Sequence, residues 1–447
     1  MAKDDNANEL FESAPVPHAF FTLTMPVVFS MVVSLICNLT DTFFIAQTGD
    51  ANIVAGISLG GPVFTLMMAI GDVFGLGGSS VISRLLGQGK DEDVRRISAF
   101  CFWASLVVGV VVTILMLVFR DFALTILGAD ASTWEHASAY YTGIAIGAPL
   151  IITSLTPGNQ LRTEGLAKES MAGGVSGVLV NLVLDPIFIN VMGWGAAGAV
   201  SATVIGYVFS LGVYVWLTAT RATKLSVDPR KASCTLSELG ALLAIGIPAS
   251  ITNLMQTICS ALTNNCLAVY GATAVAAMGI AGKGGMITTL VLAGFTFGSQ
   301  PLVGYNYGSG DKKRLREVLK FCFGFQTALA LVLSLGVAVF AEQLVNVFMG
   351  NPDVATLAVP MMRLQQVSMV AAVTVMGATC VFQSVGDAVS AGFLSISRQG
   401  VVFIVVILVL SALFGLQGIM VSQVVSDIVT CAIALALLAR LFRRELS

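Results

Sequence analysis

The sequence predicts an all-α polytopic membrane protein, with twelve transmembrane helices in two six-helix lobes related by a pseudo-two-fold axis along the membrane normal. Three observations carry that expectation. Of 447 residues, 56% are apolar and only 11% charged, against about 25% charged in a soluble domain. Apolar stretches long enough to cross a bilayer, about 20 residues at roughly 1.5 Å each, recur along the whole chain. Landmarks of the first half also return in the second at an offset of 222 residues.

In order, the stretches fall at 18–46, 52–84, 94–119, 135–159, 170–192, 195–220, 237–269, 272–306, 315–340, 353–384, 388–413 and 416–439. Each is far longer than the roughly ten-residue alternating strand of an outer-membrane barrel. The 45 glycines are scattered through them, which suits close packing of membrane helices and hinges rather than turns. The resulting division is a tail at 1–17, an N-lobe at 18–220, a linker at 221–236, a C-lobe at 237–440 and a second tail at 441–447. The linker is polar and holds Ser226, Pro229 and Ser233, as a connection between lobes would. The first tail carries only Lys3 as a base. It lacks the basic start of a cleaved signal peptide, so the first helix is expected to be retained.

Lys and Arg set the orientation. The N-terminus, the even-numbered loops and the C-terminus hold 20 of them, Arg162 and Arg398 included, whereas the opposite loops hold only Arg120. Both termini are therefore expected in the cytoplasm.

The repeat is specific in position. Pro26 followed by Ile36-Cys37 returns as Pro248 followed by Ile258-Cys259, and Gly49, Ala55 and Gly60 return as Gly271, Ala277 and Gly282. An even number of helices separates the copies, so both halves share one topology, an arrangement that transporters use for alternating access.

Several function classes are excluded. A net charge of −2 with no basic block outside short loops argues against a nucleic-acid partner. Eight cysteines stand without a C-x-x-C pair, and His18 and His136 lack metal-ligand neighbours at helical spacing. No disulfide framework, zinc site or redox motif is expected. The glycine groups at Gly75 and Gly308 lack the Lys of a phosphate-binding loop, so ATP is not the energy source in this chain. Without a nucleophile–base constellation, the chain is read as no enzyme and without a cofactor.

Charge inside the spans is what remains to carry chemistry. Asp41 lies near the outer end of helix 1, and Asp185, in Leu184-Asp185-Pro186, near the outer end of helix 5. Ser201 and Thr203 of the descending helix 6 fall in the same layer by helical rise. Asn38 and Asn181 sit one turn before the two acids and place an amide beside each. No Lys or Arg is expected at that depth in the first six helices. An acid there costs on the order of 3 kcal/mol even on a mild scale. Two unpaired ones will not both ionise, so the pair holds a proton or shares a cation. Asp185-Pro186 can also be read as a helix N-cap with Pro following.

Pro26 leaves a backbone carbonyl of helix 1 without its donor and is the candidate hinge. In the C-lobe, Lys283, Arg363 and Asp427 fall near one depth and read as a neutralising polar network. Helix 7 carries Asn253, Gln256, Asn264 and Asn265 but no acid, so coupling is assigned to the N-lobe. Met31, Phe64, Met67 and Met286 are candidates for the adaptable apolar wall of a substrate cavity.

These residues carry a resemblance. The stretches Asn38-Leu39-Thr40-Asp41-Thr42-Phe43-Phe44-Ile45, Asn181 to Ile189, Gly193-Trp194-Gly195-Ala196-Ala197-Gly198-Ala199 and Gln300-Pro301-Leu302-Val303-Gly304-Tyr305-Asn306-Tyr307-Gly308 resemble the multidrug and toxic-compound extrusion (MATE) family, closest to its DinF-like prokaryotic branch. The resemblance implies a V of two lobes and secondary active export of hydrophobic, often cationic, amphiphilic small molecules in exchange for H+ or Na+. It implies Asp41, Asn181, Asp185 and Thr203 as the cation site, the only place for a metal ion (Na+), and a bend of helix 1 at Pro26. It further implies a monomer in the cytoplasmic membrane of a bacterium or archaeon. The additional helix 7 acid of the sodium-driven branch is absent. A lipid-linked oligosaccharide flippase of the wider superfamily is the alternative, disfavoured because an acidic layer repels a pyrophosphate head group.

Overall fold

The computed structural model describes residues 9–348 and 352–445. Residues 1–8 of the expected first tail, Lys3 among them, and 446–447 of the second lie outside the described residues. Every regular element among the described residues is helical, as lipid demands of a backbone that must satisfy its own hydrogen bonds. The first lobe comprises α1 (Val16–Ala46), α2 (Ala51–Gly87), α3 (Asp91–Val118), α4 (Trp134–Thr163), α5 (Ala167–Asp185) and α6 (Gly195–Arg221). The second comprises α7 (Leu236–Ala268), α8 (Ala272–Gly308), α9 (Lys312–Val339), α10 (Pro352–Val367 and Met369–Val385, bent by 43°), α11 (388–414) and α12 (416–445).

Ten described helices are long and apolar enough to span, and the bent α10 pair makes an eleventh. The twelfth is hidden in the 57-residue stretch Ala388–Arg444, which at roughly 85 Å is far too long for one crossing. Gly415 breaks it with φ 58°. A Cβ on Gly418 would collide with the Leu410 carbonyl, an approach that eight residues of straight helix, about 12 Å, forbid. The chain reverses there. Two short helices that follow α3 and α9, Arg120–Ile126 and Ala341–Phe348, are too brief to register as apolar runs in the sequence.

The internal repeat extends to backbone conformation. Gly49, Gly89 and Gly165 adopt left-handed conformations at the turns after α1, α2 and α4, and Gly271, Gly310 and Gly386 do so at the matching turns of the second lobe. Cys37 and Cys259, 222 residues apart, donate in turn across to the fifth helix of their own lobe, the latter to the Gln399 carbonyl at 2.5 Å.

The lobes meet at one end only. On the side bearing both described termini, Gly246 admits Val73, Gly308 admits Arg84, and Gly298 admits Thr24, with no room for a Cβ at any of the three glycines. Small residues at such crossings let helix backbones touch. Farther along, Gly61 of α2 and Gly279 and Gly282 of α8 have nothing within 4 Å of a Cβ position. The lobes therefore diverge toward the far end. Asp72 sits at the divide, where its Oδ2 accepts from Asn253 of the other lobe at 3.0 Å.

Two cross-connections reinforce the closed end. Phe11, 2% exposed, stacks on Tyr305 at 4.8 Å. Arg314 donates to the carbonyls of Phe11 (2.6 Å) and Ala14 (2.7 Å). The linker is pinned along α3 and α4: Glu164 accepts from the backbone N–H of Thr223 and Lys224 at 2.6 and 3.1 Å, and Trp103 donates to Val227.

The expected C-lobe network is corrected. Asp427, 1% exposed, accepts from Arg398 Nε at 2.9 Å, not from Lys283 or Arg363. Arg363 is exposed and donates to the Ala338 carbonyl, and Lys283 is exposed on α8. Arg398, which the sequence placed in a loop, lies within α11 in a π-turn at Ser397–Val401. Equal depth did not mean equal face. Removing one member of a buried pair strands the other charge. Arg398→Ala is expected to lower unfolding stability by about 3–5 kcal/mol in detergent denaturation, with most of the loss recovered when Asp427→Asn is added.

Candidate functional site

A cavity of about 580 Å³ opens within the first lobe, lined by α1, α2, α4, α5 and α6, with Met286 and Leu290 of α8 forming a wall from the second. That volume suits a drug-sized molecule. Two of its walls, α5 and α6, are held together by a backbone contact. A Cβ on Gly206 would stand 2.8 Å from the Gly177 carbonyl and 3.2 Å from Asn181 Cβ.

Asp41 and Asp185 meet there. Asp185, 2% exposed, ends the α-helical part of α5, and Pro186 begins a π-turn through Val191. Its backbone is helical and its side chain caps nothing, so the N-cap reading fails. The carboxyl instead lies against that of Asp41. Two carboxylates that close repel each other unless a proton or a cation is shared between them. Otherwise Asp185 Oδ1 and Asn181 Nδ2 find no partner among the described residues. Asn181 Oδ1 lies 3.3 Å from the Cys37 thiol, and Asp41 Oδ1 lies 3.5 Å from it. One thiol proton serves either acceptor, not both.

The other predicted residues are less central. Thr203 lines the cavity but its hydroxyl donates to the Ala199 carbonyl at 3.0 Å. Asn38 lines it without a hydrogen bond between its amide and Asp41. Pro26 lies within an unbroken α1, beside Val27 of the wall. Met31, Phe64 and Met286 line the cavity. Met67 does not: it is fully buried behind it, in a cluster with Met116, Ile144 and Ile152, and its neighbour Met68 takes the wall position.

Sequence reasoning missed Cys37, Tyr140, Tyr207 and Arg162, all of which line the cavity. Cys37 was within reach, one turn from Asp41. Tyr140 comes near the acids because Gly60 leaves room for its ring, a tertiary fact with no local signal. Arg162 was taken for a loop residue because Asn159-Gln160-Leu161-Arg162 looks polar, yet α4 continues to Thr163.

Twelve spanning segments among the described residues, in two like lobes with a drug-sized cavity in the first, define a multi-pass membrane protein of the transporter kind. The MatE family profile matches residues 26–187 and again 248–409, and the chain belongs to that family. It is 28% identical to the multidrug export protein MepA of Staphylococcus aureus (strain MSSA476), over 98% of this chain and 96% of that one. It is 27% identical to the MepA of Staphylococcus saprophyticus over the same shares. Its fold is similar to a multidrug resistance MATE transporter of the MOP superfamily solved in an outward-facing conformation, with TM-score 0.92, 25% identity and 98% of each chain covered.

The two matched segments are 222 residues apart at both ends. Asp41 is answered by Thr263, and the stretch of α11 that answers Asn181 and Asp185, within 401–410, is wholly apolar. Phe403 and Ile407 are core residues of the second lobe. The acidic layer belongs to one lobe alone.

Met67 and Met31 separate packing from binding. Met67→Ala is expected to cost about 2–5 kcal/mol of stability while leaving drug affinity within about twofold. Met31→Ala is expected to do the reverse, read by thermal unfolding and by dye-binding titration of the same preparations.

Proposed function

We propose that this chain is a secondary active multidrug efflux antiporter that exports hydrophobic, cationic small molecules in exchange for H+ or Na+. Its N-lobe carboxylates are the coupling site. The single observation that supports this reading most strongly is the meeting of Asp41, in the wall of a cavity whose lining is mainly apolar, with the buried Asp185, neither joined to a Lys or Arg in an ion pair among the described residues. The names of the MepA relatives support export of drugs rather than an enzymatic reaction.

A cation entering the cavity competes with the bound proton for the same carboxylates. Only one of them is neutralised at a time, which is the linkage that exchange requires. Pro26 is the proposed hinge: α1 carries Asp41 on one side of it and the contact with Gly298 of α8 on the other, so bending there would shift the acid relative to the joined end. A flippase reading gains nothing from this site, since two acids disfavour a phosphate head group. The basic residues clustered at the termini favour that end facing the cytoplasm.

Transport in liposomes tests the proposal. Efflux of a cationic dye by the wild-type chain is expected to follow an imposed pH or Na+ gradient. Asp41→Asn and Asp185→Asn are each expected to cut gradient-driven flux at least about tenfold, the effect of losing roughly 1.4 kcal/mol. Unchanged gradient dependence in both variants contradicts the assignment.

A further inference from the structure

The cavity is bipolar. Asp41 lines its far end, with the buried Asp185 beside it, and Arg162 lines its other end. Ser154, Gly158 and Arg162 share one face of α4 and all line the cavity, so the guanidinium is carried on the same helical stripe as the wall. On α5, Ser170 lines the Arg162 end, where its hydroxyl donates to the Gly158 carbonyl at 2.7 Å. Asn181 lines the acidic end. Eleven residues of helix separate them, roughly 16 Å along the axis before the reach of the Arg side chain is subtracted.

Arg162 forms no ion pair among the described residues. Its one hydrogen-bond partner is the neutral Asn159 side chain. Asp72 feels its field but is engaged by Asn253. A guanidinium has five donors in a planar fork, so most of its capacity is unspent. The Tyr214 hydroxyl stands at the same end, 3.1 Å from a Cβ position on Gly158 and 3.0 Å from one on Gly174, and it too lines the cavity. Two donors converge where a charged group costs most to leave without a counter-ion.

We propose that Arg162, with the Tyr214 hydroxyl, is an anion subsite of the export cavity, and that the protein therefore accepts zwitterionic amphiphiles. The cationic end of such a molecule faces Asp41 and Asp185, and its carboxylate faces the guanidinium. This rests on the reading of the cavity as the drug site and adds the second pole. Arg is suited to the task because its fork binds a carboxylate through two parallel hydrogen bonds. A purely cationic substrate gains nothing from it.

Two dyes of one skeleton test this. Rhodamine 123 is a cationic methyl ester, and rhodamine 110 is the corresponding free acid, a zwitterion. Fluorescence-anisotropy titration of the purified full chain in detergent is expected to give the wild type at least equal affinity for the acid. Arg162→Gln is expected to weaken the acid about tenfold and the ester less than about twofold. Arg162→Lys keeps part of the preference, and Tyr214→Phe weakens the acid about threefold while disturbing little else. Asp185→Asn weakens both dyes.

Equal loss of both dyes in Arg162→Gln and in Tyr214→Phe overturns the subsite. Should Arg162→Gln fail to fold, the wild-type ratio decides: ester bound about tenfold more tightly than acid overturns the anion subsite and leaves the drug-site reading standing. Neither dye bound by the wild type overturns the drug-site reading and this one with it.

Discussion

Two carboxyl groups held in contact inside a membrane protein are the constraint around which the first lobe is arranged. Separately each acid would demand a donor or a counter-ion in a medium that supplies neither. Together they satisfy one another, provided that a proton stays between them. The surroundings keep that arrangement and no other. No Lys or Arg joins either acid in an ion pair among the described residues, and Gly177 against Gly206 sets the spacing of α5 and α6 beneath the pair. Pro186 cannot continue the α-helical hydrogen bonding of α5, and the chain leaves Asp185 through a π-turn.

The second lobe shows what the same backbone does without that constraint. Its turns fall at matching glycines and its Cys259 donates in the manner of Cys37, yet the stretch that answers Asn181 and Asp185, within 401–410, is wholly apolar. The buried pair of that lobe, Arg398 with Asp427, joins opposite charges and needs no mobile proton. Duplicated architecture thus divides the labour. One lobe carries two acids without an ion-pair partner among the described residues. The other pairs its buried acid with Arg398, and through α8 it supplies one wall of the cavity and a packing surface for α1.

Much of this was legible in the sequence because membrane helices announce themselves by length and composition. The apolar runs and the helices agree to within a few residues over most of the chain, and α12 outruns its expected end the most, by six residues from 439 to 445. Asp41, Asn181 and Asp185 could be placed in one layer by counting rise along helices of known direction. Rotation about the helix axis could not be read in the same way. Depth put Lys283, Arg363 and Asp427 together, but the faces they occupy keep them apart, and Met67 points behind the wall that Met68 lines. Polarity misled in the opposite sense at Arg162 and Arg398. Both look like loop residues because helix ends and loops share a composition, and only the packed structure shows one lining a cavity and the other buried against an acid.

The central claim is that a substrate and a proton compete for the Asp41–Asp185 pair, and proton release on binding measures it most directly. Purified protein in weakly buffered detergent near neutral pH, mixed with saturating cationic dye beside a pH indicator, is predicted to release about one proton per dye bound. Asp41→Asn and Asp185→Asn should release none while still folding. Undiminished release from both variants, or dye binding by the wild type with no proton released and no dependence on Na+, would contradict the account.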